Sequence, residues 1–229
     1  MAAIRLGVLG GSFNPIHQGH LYIARRMRRL FRLSQIHFVV ATVPPHKPAL
    51  DLAPFVHRYA MVSLALAGSP GLLPSLVELE PPPSPFSVHT MRKLEALVPG
   101  CRARLYFIAG GDSLRDVNTW RESERLLASY NFIFIDRPGT RLPDPEGQLP
   151  AGVRGRAIDL RGAAPAAVRS SIRAADSEES PRIFVLDIGA PSVSSSEIRE
   201  HIRARRPFGH LVPGSVGEYI TKLQLYGEQ

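Results

Sequence analysis

Six short apolar runs, each about one strand long and most of them followed by a helical pattern, constrain this chain more than any other feature. The runs lie at 4–9, 36–40, 72–77, 104–108, 132–135 and 183–188, and helical patterns cover 18–33, 54–67, 86–98, 121–130, 195–205 and 215–223. A continuous apolar run suits a strand buried on both faces, and strands alternating with helices require right-handed crossovers. The expectation is an α/β fold: a doubly wound, mainly parallel sheet covered by helices on both faces. With 229 residues, 44% of them hydrophobic, one large domain spanning 1–229 has enough apolar surface for its core. Residues 78–85 are proline-rich and read as a stiff loop. Residues 138–180 are rich in Gly, Pro, Ala and charge, and read as a loop-rich, mobile segment interrupted by one strand at 156–160.

Open parallel sheets bind ligands beyond the carboxyl ends of their strands, which here places the turns after Leu9, Val40 and Ile108 together. Neither a G-x-G-x-x-G nor a G-x-x-x-x-G-K-[ST] sequence is present to bind phosphate. The first turn instead reads Gly10-Gly11-Ser12-Phe13-Asn14-Pro15-Ile16-His17-Gln18-Gly19-His20. Gly10 and Gly11 permit a tight exit from the strand. A helix starting near Gln18 sets His17 and His20 on one face of its first turn, beside unpaired backbone N–H groups that attract anions. Gly19 leaves the space between them open to a phosphate. Taken alone, the pair also fits a zinc site or a solvated face, but no nearby cysteine or carboxylate supplies a suitably spaced third metal ligand.

Near the other end, Ser194-Ser195-Ser196-Glu197-Ile198-Arg199 fits a capping box, and equally a second phosphate site built from hydroxyls and a guanidinium fork. Asp112, just past the run 104–108, suits hydrogen bonds from a ribose. Trp120 offers a flat face to an aromatic ring or packs in the core. Lys47, in the proline-stiffened stretch 43–48, offsets acidic substrate charge or lies on the surface.

GGSFNPIHQGH with SSSEIR resembles the paired signatures of the HxGH nucleotidyltransferase superfamily, and in particular the bacterial nicotinate-nucleotide adenylyltransferase family. The resemblance runs from residue 4 to about 226 and is weakest over 140–182. It is supported by Phe107-Ile108-Ala109-Gly110-Gly111-Asp112 with Trp120, by Phe134-Ile135-Asp136-Arg137-Pro138-Gly139, and by the 43–48 loop. Where the family writes S-Y-T-x-D-T this chain has Phe86, Ser87 and His89 in place of Tyr, Thr and Asp, keeping Thr90; His89 is expected to face solvent. The closing stretch, with Tyr219 and Tyr226, is family-like and reads as packing.

The resemblance implies a Rossmann-like nucleotidyltransferase fold and transfer of the adenylyl group of ATP to nicotinate mononucleotide, giving deamido-NAD and pyrophosphate. It implies catalytic roles for His17, His20 and Arg199. ATP would be held by Gly10, Gly11, Ser12, Phe13, Gly19, Gly110, Asp112, Arg137, Ser195 and Ser196, and the mononucleotide by Asn14, Lys47, Ser87, Thr90, Trp120 and Arg121. Mg2+ is the implied cofactor, carried chiefly on the ATP phosphates, with no metal bound by the protein itself. The expected partners are ATP and nicotinate mononucleotide, with neither nucleic acid nor membrane, and a homo-oligomer is allowed. The rivals are another HxGH adenylyl- or cytidylyltransferase, such as one acting on pantetheine phosphate, and a non-catalytic nucleotide-binding regulator.

The net charge of +8 invites a nucleic-acid reading, but the basic residues are spread along the chain with small clusters at 25–32 and 203–206, and no recognition motif accompanies them. A positive field also gathers small anionic substrates. The single Cys101 forms no internal disulfide, and no long apolar segment opens the chain, so a cytoplasmic location is expected.

Overall fold

The computed structural model describes residues 4–42, 52–98, 104–136, 144–176 and 180–227. Seven strands form one sheet: β1 (Leu6–Gly11), β2 (Gln35–Val40), β3 (Leu72–Ser75), β4 (Leu105–Gly110), β5 (Asn131–Asp136), β6 (Ala157–Asp159) and β7 (Ile183–Asp187). Their order is β3-β2-β1-β4-β5-β7-β6, and every neighbouring pair is parallel. The chain winds outward from β1 through β2 to β3, returns to the centre at β4, and winds the other way. That reversal opens a crevice where β1 and β4 end side by side.

The period-two alternation of β5 sends Phe132 and Phe134 to one face of the sheet and Ile133 and Ile135 to the other. Both faces are covered, as continuous apolar runs require. On the isoleucine face lie α1 (Gln18–Leu30), α2 (Phe55–Leu66), α7 (Pro165–Asp176), α8 (Ser195–Arg203) and α9 (Gly214–Lys222), through Met27, Met61, Ile172, Ile198 and Ile220. On the phenylalanine face lie α3 (Ser87–Leu97), α4 (Asp112–Asp116) and α5 (Ser123–Ser129), through Met91, Leu114 and Leu126.

The segment read as loop departs most from expectation. Its described part, 144–176, holds the edge strand β6 within the strand expected at 156–160, but also α6 (Pro145–Gln148), a 3-10 turn at Ala151–Val153 and the twelve-residue helix α7. Its helix signals were real: Pro165 is suited to a first helical position, alanines follow, and Val168 and Ile172 lie four apart on one buried stripe. The 78–85 stretch is irregular, as its prolines dictate, and Lys93 braces it by donating from Nζ to the carbonyls of Val77, Glu80 and Pro82.

Gly7, the second residue of β1, lets β2 and the turn that leads into it pack closely against this strand. A Cβ there would come within 2.8 Å of Leu33 Cδ1 and 2.9 Å of Ile36 Cγ1, both in the buried core. Gly7→Ala is therefore expected to lower unfolding stability by about 1–3 kcal/mol, measured as a reduced urea midpoint with an unchanged slope.

Candidate active site

The carboxyl end of β1 leads into a loop, Ser12 to Ile16, whose residues Phe13, Asn14, Pro15 and Ile16 are all buried. Such a loop lacks a sheet or helix ladder, so its polar groups need partners from elsewhere. Three distant segments supply them. Arg58 Nη1 donates to Ser12 O at 2.8 Å, and Arg199 Nη1 to Asn14 O at 2.9 Å. Ser195 Oγ donates to Pro15 O at 2.9 Å, while Asn14 Oδ1 accepts from Tyr226 OH at 2.9 Å and from Ala53 N at 3.1 Å.

The turn itself is made differently from the glycine exit expected. Gly10 and Gly11 still belong to β1, and the left-handed residue is Phe13, with φ of 45°. That conformation costs a non-glycine residue about 1–2 kcal/mol. Burial of the Phe13 ring offsets it, edge-on to His20 at 5.0 Å and tilted against Phe38 at 5.6 Å. Gly11 is needed because a Cβ would come within 3.2 Å of that ring.

His17 caps α1, and its ring stacks on His20 with centroids 3.7 Å apart. The His17 N–H donates to His20 Nδ1 at 3.2 Å. Acceptance at Nδ1 leaves the ring proton of His20 on Nε2, so this imidazole is oriented as a donor from that nitrogen. Gly19 does not hold open space, as the sequence suggested. A Cβ at this position would approach Val193 Cγ1 to 3.0 Å and the His17 ring to 3.1 Å, so Gly19 lets the segment before α8 press against the start of α1.

The start of α8 thus converges on the start of α1. Ser194 and Glu197 form the capping box: Glu197 N donates to Ser194 Oγ at 3.1 Å and Ser194 N to Glu197 Oε2 at 3.3 Å. Arg199 spends Nη1 on Asn14 O and Nη2 on Ser196 Oγ at 3.4 Å. Its buried Nε–H has no partner among the described residues.

On the neighbouring strand, β4 ends at Gly110 and Asp112 opens α4, exposed at the crevice mouth. Trp120 is half-buried, edge-on to Phe107 at 5.7 Å, so part of the ring belongs to the core. Arg121 lies over the Phe86 ring at 4.9 Å. Ser87 opens α3, and Thr90 is buried with its hydroxyl donating to Phe86 O at 3.4 Å. His89, expected in solvent, is half-buried, with Nδ1 2.6 Å from Ser84 Oγ. Lys47 and Arg137 lie outside the described residues.

Sequence reading missed the supports. Arg58 is 1% exposed and also donates to Ala41 O at 2.7 Å, Ala53 O at 2.9 Å and Thr42 O at 3.3 Å, joining the β1 and β2 ends to the start of α2. Glu78 accepts from Thr42 N at 2.9 Å and from its hydroxyl at 3.3 Å. The signal for Arg58 was a lone arginine in an apolar helix pattern. Tyr226, read as packing, carries a hydrogen bond to the site loop, and burial pushes its phenol well above the ordinary tyrosine range.

Burial is also the largest influence on the Arg58 and Glu78 pair, lowering Arg58 and raising Glu78 against the opposing pull of the Thr42 hydrogen bonds and of Arg58 itself. A carboxyl raised on folding contributes stability that is fully present below its unfolded pKa and is lost as pH rises through its folded pKa. From acid to neutral pH, the urea stability of the wild type is therefore expected to fall relative to that of Glu78→Gln. Parallel pH profiles of the two proteins would contradict this reading.

The cytidylyltransferase-like family model matches residues 8–201. A probable nicotinate-nucleotide adenylyltransferase of Citrifermentans bemidjiense is 37% identical, covering 97% of this chain and 98% of its own. One from Pelobacter propionicus is 36% identical over 98% of this chain and 99% of its own. In fold, the chain resembles the nicotinic acid mononucleotide adenylyltransferase of Plasmodium falciparum complexed with NaAD, with a TM-score of 0.69 at 21% identity and 97% coverage of both chains. On the strength of these matches along nearly its whole length, the chain belongs to the nicotinate-nucleotide adenylyltransferase family, within the cytidylyltransferase-like nucleotidyltransferases.

Proposed function

We propose that this protein transfers the adenylyl group of ATP to nicotinate mononucleotide, forming deamido-NAD and releasing pyrophosphate. The observation that carries the reading is the meeting of two phosphate-directed helix starts, α1 and α8, through the Ser195 and Arg199 bonds to Pro15 and Asn14. Relatives named for this activity, alike from end to end, support the choice of mononucleotide.

The attacking 5′-phosphate is already anionic, so the reaction needs no covalent enzyme intermediate and no obligatory base. Catalysis then consists of in-line positioning and stabilisation of charge on the α-phosphoryl group. His20, donating from Nε2, is assigned to the α-phosphate, and His17 to adjacent oxygens. Ser195, Ser196 and the Nε–H of Arg199 are assigned to the departing pyrophosphate. Ser12 and the glycines at the ends of β1 and β4 give the nucleotide close access to backbone, with Asp112 accepting from a ribose. Asn14, Ser87, Thr90, Arg121 and the outer part of Trp120 are assigned to the mononucleotide side.

The groups gathered here are imidazole, hydroxyl, guanidinium and backbone N–H, which suit oxyanions. Among the described residues no three His, Cys, Asp or Glu side chains come together to hold a metal ion. We assign Mg2+ to the phosphates of ATP, where it would neutralise the triphosphate. No described helix is long and apolar enough to cross a membrane; we place the reaction in the cytoplasm.

The test is pyrophosphate release from ATP and Mg2+ with nicotinate mononucleotide, nicotinamide mononucleotide or phosphopantetheine offered separately. Turnover with the first is expected, and turnover only with phosphopantetheine would overturn the proposal. His20→Ala is expected to lower kcat about 10²- to 10³-fold with its fold intact by circular dichroism.

A further inference from the structure

The molecule carries a second cationic concavity that the adenylyl-transfer site does not use. Between α1, α7 and the end of β7 lies a groove of about 390 Å³ lined by Arg5, Arg26, Arg29, Arg32, Arg169 and Arg173, against a single carboxylate, Asp187. Asp187 already accepts from Gly189 N at 2.9 Å. Arg5 donates to the Phe31 carbonyl, and Arg29 to that of Arg25, which positions the Arg29 guanidinium without neutralising it. Among the described residues, Arg26, Arg29, Arg32, Arg169 and Arg173 form no ion pair.

The floor is apolar, made by Leu30, Val168, Ile172 and Leu186. At one end Tyr22 OH donates to Ile188 O at 2.9 Å, tying α1 to the end of β7 between the groove and the histidines. The α7 residues that line the groove run from Pro165 to Arg173, a length of about 12 Å at 1.5 Å per residue. That volume belongs to the class of small-molecule pockets, and its bounded length does not match an extended polymer.

We propose that this groove binds a small molecule carrying several phosphate groups, a nucleotide-sized ligand, at a site separate from the α1 and α8 helix starts. Guanidinium forks pair bidentately with phosphate oxygens, and two helices, α1 and α7, with the stretches before β1 and after α1, present them to one space. A ligand with one carboxylate would leave most of this charge unmet. A polyphosphate meets it, relieves the mutual repulsion of the arginines, and leaves the apolar floor for a base or other flat group.

The experiment counts binding equivalents by calorimetry on the full chain and on Arg29→Glu with Arg173→Glu. The probes are ATP, inorganic tripolyphosphate and a single-stranded DNA dodecamer. Because both proteins keep the adenylyl-transfer site, the wild type is expected to take up one more equivalent of ATP or tripolyphosphate than the double variant. The variant is expected to bind at that extra site at least tenfold more weakly while retaining adenylyl transfer and its circular dichroism. Arg29→Gln with Arg173→Gln, which removes charge without reversing it, is expected to weaken the same site. An extra equivalent of ATP alone would identify a nucleotide as the ligand, and equal uptake of tripolyphosphate would identify phosphate as the whole determinant. Equal stoichiometry in wild type and variants would overturn the proposal, as would uptake of the DNA alone.

Discussion

A buried loop has to satisfy its own backbone, and here that requirement organises the site. Ser12 to Ile16 passes through the protein without a ladder of its own, and an unpaired buried carbonyl costs about 1–3 kcal/mol. The partners are side chains from α2, α8 and the stretch after α9, reaching the loop across 46, 185 and 212 residues of sequence. The histidines, the strained Phe13 and the α1 start take their positions from this loop. Arg58 extends the same logic to β2: by donating to the carbonyls of Ala41 and Thr42 as well as Ser12, it holds the ends of β1 and β2 as one unit.

The use of arginine for this work has a physical reason. A guanidinium carries five N–H donors in a rigid fork, so one side chain can satisfy carbonyls from several segments. Its cost is a buried charge, met here partly by Glu78 and partly by carbonyl oxygens. Arg199 spends Nη1 on the loop and Nη2 on Ser196, while the Nε–H that we assign to pyrophosphate has no partner among the described residues.

The fold was legible because a parallel sheet buried on both faces forces its strands to be continuously apolar, so six runs mapped onto six strands to within a few residues. The α7 helix escaped because its stripe is narrow: Val168 and Ile172 carry it among arginines, serines and alanines that read as loop. Within the site, the two signatures marked the groups we assign to phosphate, since chemistry restricts which residue types suit an oxyanion. The supports were hidden because nothing in the sequence around Arg58, Glu78 or Tyr226 states which backbone groups will need them. Gly19 shows the same limit, being required by the approach of Val193 from nearly the other end of the chain.

The bond from Tyr226 to Asn14 also orders events in time. At about 5–20 residues per second of synthesis, roughly 10–40 s pass between the appearance of Asn14 and that of Tyr226, a separation of 212 residues. The nascent chain carries its histidine turn while Asn14 Oδ1 waits for its tyrosine partner until α9 has been made. A loop written early is finished only when a residue 212 positions later has been added, and until then the growing chain cannot close the pocket.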